Sequence, residues 1–465
     1  MSYLFACIAA LISGYFVYGT FVERVFDIDP HRPTPCHVME DGIDYVPMPT
    51  WRVYFIQLLN IAGLGPIFGP ILGAMYGPVA LIWIVIGCIF GGGVHDYFSG
   101  MLSVRNDGES IPEIVGDFLG PFSRYVMRFF SVILLVLVGV VFILGPAKLL
   151  ASLTGININI LILLIFVYYF MATILPIDKI IGSLYPFFGA LLLFMTVGIV
   201  AGLIFYGYNI LPNMDIMVNT HPDHKPIWPM IFITISCGAL SGFHSTQSPL
   251  MARCIQNESK GRLVFYGAMI MEGVIAIIWA TVGLSLYPNA RELGAVISTG
   301  SPAAVVNQAC NKLLGGIGGF LAIMGVIVLP ITSGDTAFRS TRLILAESFK
   351  ISQSTAAKRL IIAIPLFIIA FLMTLQDFDV LWRYFGWSNQ VLSMLVLWSA
   401  AIYLAKNKKQ HWIASLPAMF ITAVNICFIL QVKIGFGLPP DVSNIAGCVA
   451  SFIVMVLFLY HLKSA

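Results

Sequence analysis

The sequence predicts an all-α polytopic membrane protein of about 13 transmembrane helices, and three observations carry that prediction. Hydrophobic residues make up 59% of the 465 positions and charged residues only 10%, whereas soluble domains run near a quarter charged. Apolar stretches of about 20 residues, the length that the hydrocarbon core of a bilayer demands, recur along the whole chain. Two of them, NIAGLGPIFGPILGAM (60–75) and ISCGALSGFHSTQSP (235–249), are broken by glycine and proline. A break in mid-membrane frees backbone N–H and C=O groups that lipid cannot satisfy, so it survives only where protein or a wet cavity satisfies them. Paired breaks in two halves of a chain point to the binding site of a secondary transporter.

In order, the stretches are 2–22, 52–72, 76–101, 125–151, 157–176, 184–208, 228–248, 263–287, 316–344, 359–376, 382–405, 411–431 and 443–462. The first, Ser2 to Val22, has no positive n-region, and its first cation, Arg24, follows it. It therefore reads as a true span with the N-terminus outside rather than as a signal peptide. Alternating from there puts 19 of the 25 lysines and arginines in the cytoplasm. It leaves Lys148, Lys225, Arg291, Lys312, Arg383 and Lys433 outside, the asymmetry of the positive-inside rule. Both basic ends, 406–412 and 461–465, fall inside, as an odd number of spans requires.

The breaks lie in spans 2 and 7, which therefore run in opposite directions. That is the arithmetic of a five-plus-five inverted repeat. Residues 1–51 then form a peripheral helix and cytoplasmic loop, 52–208 the first repeat, 209–405 the second, and 406–465 two peripheral C-terminal helices. Close packing of small residues is the alternative use of such glycines. It suits GCIFGGG (87–93) and GGIGG (315–319), but suits span 2 less well, because Pro66 and Pro70 follow its glycines directly.

At the first break Gly63 and Gly65 permit unwinding around Leu64, and Pro66 can open a new half-helix because its missing N–H would be unpaired anyway. The N–H groups and positive dipole end of that half-helix make a seat for a carboxylate. At the second break Gly238 and Gly242 permit the turn, and Ser236, Cys237 and Gly238 are candidate substrate-binding residues, as are Gly63, Leu64 and Gly65 at the first. Ser241 is placed to cap the next half-helix, and His244 to touch substrate or shuttle protons. His95 and Asp96, near the cytoplasmic end of span 3, read either as a protonatable relay or as a helix-end anchor. Glu272, well inside span 8, has no local partner and is a proton-site candidate, since a buried acid in a membrane is costly unless it is used.

Five strings, RPTPCHVMEDGIDYVP (32–47), IAGLGPIFGPILGAMYG (61–77), GGGVHDYFSGMLSVRNDGESIPEIV (91–115), ITISCGALSGFHS (233–245) and ITSGDTAFRSTRLILAE (331–347), resemble the carbon starvation protein A (CstA) family of inner-membrane transporters. They cover much of residues 1–350. The resemblance implies a LeuT-like fold, which agrees with the inverted repeat. It also implies symport of a small carboxylate such as pyruvate, or of short peptides, coupled to protons across the cell inner membrane. No cofactor is expected beyond H+ or Na+ as the coupling ion, and the partners are a small-molecule substrate and the lipid bilayer. In a LeuT-type fold the eighth core helix offers neighbouring hydroxyls to sodium, and Thr332 and Ser333 stand where such a pair would be, with oxygen ligands suited to a hard cation. Back-bonding of both to their own helix is the plainer use. Asp335 either binds the coupling ion or pairs with Arg339 one turn away. The chain departs from the family at Ile56-Gln57, where members often carry a His-His pair, and it stops short of the C-terminal portion of large members.

Rival classes find little support. There is no HExxH or GxSxG for an enzyme and no repeated filter for a channel. No basic stretch suits nucleic acid. The eight scattered cysteines show no CxxC and read as packing residues. His221 and His224, in an outside loop, make at most a weak metal pair, so no metal is expected. A sodium-coupled transporter of the same fold is the nearer alternative.

Overall fold

The computed structural model describes residues 2–42, 44–174, 185–208, 217–353 and 355–464. Lys179 and residues 209–216 of the predicted outside loop lie outside them, as does the side chain of Thr332. The described residues form helices and no strands. In chain order we label α1 Tyr3–Phe26, the half-helices α2 Thr50–Ile61 and α3 Gly65–Gly73, α4 Val79–Arg105, α5 Ile111–Leu119, α6 Pro121–Thr154, α7 Ile158–Ile174 and α8 Tyr185–Phe205. There follow the half-helices α9 Ile227–Thr234 and α10 Phe243–Ala252, then α11 Glu258–Ser285, α12 Ala290–Ser348, α13 Ala356–Thr374, α14 Phe378–Lys406, α15 Trp412–Gln431 and α16 Pro440–Ser464.

Nine of these are long and apolar enough to cross a bilayer, or ten when α2 and the helix after it, bent by 47°, count as one span. The shorter apolar helices Ile158–Thr173 and Gly189–Phe205, and the two halves α9 and α10, lie where the sequence places its remaining spans. Local chemistry sets the ends. Pro49 and Pro66 open α2 and α3, and α6 ends on Gly155 at φ +70°, the left-handed position that favours glycine after a helix.

The sequence treats residues 288–315 as an outside loop, whereas the structure continues α12 back to Ala290. The continuation is interrupted at Gly300–Ser301 and Gly315, with φ +59° at Ser301 and +69° at Gly315. Its helical segments bury Leu293, Ile297, Val305, Val306, Ala309, Cys310 and Leu313. That spacing is one face of a helix, masked in a hydropathy window by the polar face opposite.

Glycines let the central helices approach. A Cβ at Gly93 would stand 2.6 Å from the Tyr266 ring, and one at Gly100 would stand 2.4 Å from the Phe265 ring, so α4 and α11 pack nearly backbone to ring. Both helices widen to π geometry nearby, at Gly87–Gly92 and Arg262–Tyr266. The Tyr266 hydroxyl donates to the Ile89 carbonyl within the widened turn (2.7 Å). Such π segments leave a main-chain group to be satisfied by a neighbour, and they often flank functional sites.

Candidate functional site

The two broken spans cross each other. A Cβ at Gly65 would lie 2.3 Å from the Cys237 Cβ, one at Gly73 would lie 2.2 Å from the Ile235 side chain, and Gly238 faces Pro66. The Tyr76 ring, at the end of the first span, sits 4.6 Å from His221, just before α9 begins. The first span therefore leaves the core at the end where the second enters it.

At the first break the chain turns over Ala62–Leu64, with the Gly63 N–H on the Ile61 carbonyl (2.9 Å). Gly63 packs against Phe142; a Cβ there would meet its ring at 2.7 Å. Leu64 and Gly65 are buried, and their main-chain N–H groups donate to no group among the described residues. These donors open α3, the position expected to seat a carboxylate. Gln57, a turn before the break, is fully buried, and neither atom of its amide has a hydrogen-bond partner among the described residues. The Ser236 hydroxyl, beside Cys237, is likewise buried and unpartnered.

The second break is held almost entirely by side chains. Gly238 adopts φ +88°, open to glycine and costly for other residues. The Trp83 indole donates to the Ile235 carbonyl (3.0 Å) and the Cys88 thiol to that of Gly238 (3.1 Å). Gln390 donates to the carbonyls of Phe232 (2.9 Å) and Leu240 (3.2 Å). The expected cap is corrected here. The Ser241 hydroxyl does not accept from the helix; it donates to Asn389 Oδ1 (3.0 Å), and that same oxygen accepts the Phe243 N–H (2.8 Å) that opens α10. The amide oxygen, reaching in from α14, is the stronger acceptor and already occupies the capping position. These contacts meet the requirement that unwound backbone be satisfied internally.

A line of titratable side chains runs into this break. His95 Nδ1 lies 2.7 Å from Asp96 Oδ1, Asp96 Oδ2 2.8 Å from His244 Nδ1, and His244 Nε2 3.1 Å from Glu272 Oε2. Glu272 Oε1 then accepts the Gly238 N–H (3.1 Å). All four side chains are fully buried. With Asp96 ionised, both histidines direct an Nδ1–H to it, which leaves His244 Nε2 as the nitrogen that faces Glu272. The His244–Glu272 contact has the distance of an ion pair but not hydrogen-bond alignment, and His95 Nε2 at the far end has no partner among the described residues. The partner that Glu272 lacks in the sequence is thus supplied from α10. His95 and Asp96 face α10 rather than standing alone at a helix end.

The residues proposed for sodium lie elsewhere. The Ser333 hydroxyl donates to the Leu329 carbonyl of its own helix (3.1 Å). Asp335 lies 3.6 Å from Arg339 and accepts from the Tyr168 hydroxyl (3.3 Å). Asn389, Gln390, Trp83 and Cys88 escape the sequence reading. The one available signal is a polar pair, Asn389-Gln390, in the middle of an apolar stretch.

The model of the carbon starvation protein CstA family matches residues 1–160, 145–313 and 290–427. A membrane protein of Haemophilus influenzae is 47% identical over 352 residues, 64% of this chain and 95% of that protein. The Bacillus subtilis peptide transporter CstA is 28% identical over 344 residues, 59% of this chain and 56% of the relative. The Escherichia coli pyruvate/proton symporter BtsT is 27% identical over 349 residues, 61% of this chain and 49% of the relative. The match thus spans about half the length of those two relatives, whose names are those of transporters rather than enzymes. Among solved structures, the Eremococcus coleocola manganese transporter aligns over 92% of this chain and 99% of its own, at 12% identity and a TM-score of 0.48. With the family matched along residues 1–427 and the broken spans crossing at the site, this multi-pass membrane protein belongs to the carbon starvation protein CstA family.

Proposed function

We propose that the protein is a proton-coupled secondary transporter that imports a small carboxylate, with pyruvate and short peptides as the candidate substrates, across the cell inner membrane. The N-terminus is outside, the C-terminus inside, and the core is a LeuT-like five-plus-five repeat over residues 52–208 and 209–405. One observation carries this reading: the buried line from His95 through Asp96 and His244 to Glu272, ending on the Gly238 N–H of the second break. Hydrogen bonds to ionised groups are roughly twice as strong as neutral ones. A proton arriving on Glu272 therefore loosens its hold on Gly238 and on the backbone that Gly238 ends. The substrate carboxylate sits on the Leu64 and Gly65 N–H groups across the crossing, so both events act on one contact. The relatives named for peptide and for pyruvate/proton transport support the substrate class. Sodium is less favoured, because Ser333 and Asp335 already have protein partners.

Proteoliposomes test the reading. In sodium-free buffer an inward proton gradient should accumulate pyruvate or a dipeptide. Glu272→Gln should abolish accumulation while keeping downhill counterflow. A strict sodium requirement at clamped pH and voltage would overturn the proton coupling, and full accumulation by Glu272→Gln would remove Glu272 from it.

A further inference from the structure

Three of the six cations on the side that the positive-inside rule assigns to the outside converge on one hollow. Lys225, Arg383 and Lys433 come from the segment before α9, from α14 and from just beyond α15, and they line a cavity of about 340 Å³. That volume lies at the lower end of the range of small-molecule pockets. The cavity runs beside the outer halves of both broken spans, from Tyr76 at the end of the first to Thr234 at the break of the second. Asp379 is the one acid in its lining.

Lys225 is paired with Asp223 (3.2 Å). Arg383 and Lys433 form no ion pair or hydrogen bond with a described residue, and Asp379, one turn before Arg383, is not within ion-pair distance of it. His221 adds no charge at neutral pH. Burial first, and then the positive charges of Lys225 and Arg383, push its pKa down to about 4. Its Nδ1 accordingly accepts the Asp223 N–H (3.1 Å). The floor is Trp382, whose indole N–H reaches the Thr234 carbonyl (3.4 Å) and whose ring stacks on Phe378 and lies 6.1 Å from Phe68 of α3. Phe68 is one helical turn beyond Gly65. Trp382 thus links the lining of the hollow, through Phe68, to the half-helix that opens at the carboxylate seat.

We propose that this hollow is an anion-binding vestibule, in which Arg383 and Lys433 hold the carboxylate of an incoming substrate above Trp382 before it passes to the first break. The proposal deepens the transport reading and rests on it for the identity of the anion. Fixed cations in a low-dielectric hollow raise the local concentration of anions, and a guanidinium takes a carboxylate through two parallel hydrogen bonds. The site would accept a small monoanion, or a peptide by its C-terminal carboxylate, and reject a cation of the same size.

Two measurements test it. In proteoliposomes, Arg383→Gln combined with Lys433→Gln should raise the KM for pyruvate about tenfold while kcat falls less than twofold, and Arg383→Lys should recover part of the loss. An unchanged KM, or a loss confined to kcat, overturns the vestibule. The second measurement needs no transport. In detergent-solubilised protein at fixed ionic strength, iodide should quench a tryptophan component in excess of that quenched by caesium. That excess should disappear in the double Gln variant and in Trp382→Phe. If parent protein fails to transport pyruvate but iodide quenching behaves as stated, the anion site stands and the transport reading falls. If the excess persists in the double variant, the site falls whatever the transport result.

Discussion

Gln57 carries a cost that folding does not explain. A buried amide with neither atom bonded costs about 1–3 kcal/mol for each orphaned group, and replacing it with an apolar side chain of similar shape is neutral or stabilising. Gln57→Leu should therefore keep or raise the melting temperature while lowering the uptake rate. Higher stability with undiminished uptake would make Gln57 a packing residue. It also occupies the dipeptide where the family often carries two histidines, so the proposed proton coupling is assigned to other residues. The ionisable ones, His95, Asp96, His244 and Glu272, are each legible in the sequence, because a charge inside an apolar stretch is conspicuous. Their convergence is not legible: Asp96 and His244 are 148 residues apart and meet only when α4 packs on α10. Asn389 is less visible still, since its role lies in a carbonyl and an N–H that belong to other segments. Asn389→Ala should destabilise the protein by about 1–3 kcal/mol, read as a lower melting temperature, because it uncaps α10 and leaves the Phe243 N–H unpaired.

At the scale of the elements, the two breaks are read from glycine and proline alone, and the structure adds that they touch. Gly65 and Cys237 are close enough that only one of the two positions can carry a Cβ. Gly65→Ala should cost stability and transport together, and adding Cys237→Gly should restore stability by returning that volume. Absence of any rescue would mean that the broken spans do not cross at this pair. Gly63→Leu would be a blunt probe of the first break. The new side chain must displace the Phe142 ring as well as enter the unwound turn, so loss of transport there needs a folding control. The early part of α12 was hidden for a different reason. Its apolar residues recur at helical spacing beside a polar face, which a search for continuous apolar length passes over.

Over the whole molecule, one arginine joins several elements at the end of α4 away from the hollow. Arg105 at the end of α4 grips Glu258 at the start of α11 through two contacts (3.0 and 2.9 Å). It also donates to the Tyr403 hydroxyl of α14 (2.7 Å) and to the Asp27 carbonyl just beyond α1 (2.7 Å). Removing one partner of a buried pair strands the other charge and costs about 3–5 kcal/mol. Glu258→Gln should therefore lower the melting temperature and, if this end opens during transport, shift the resting population toward the opened form. Orientation is checked by labelling: a cysteine at position 408 in a cysteine-free background should resist impermeant reagents added from outside, and ready labelling would reverse the topology. The overall charge asymmetry was legible because it is a sum over many loops, whereas the Arg105 tie joins four elements that no local pattern connects. One consequence of the tight Gly65–Cys237 crossing concerns time. Cys237 is buried against that crossing, so a thiol reagent can reach it only while the two segments are apart. With the other seven cysteines replaced, its alkylation rate would report how often the segments separate, and saturation of that rate with rising reagent would give the opening frequency itself, a stopwatch for each conformational excursion that runs without any substrate at all.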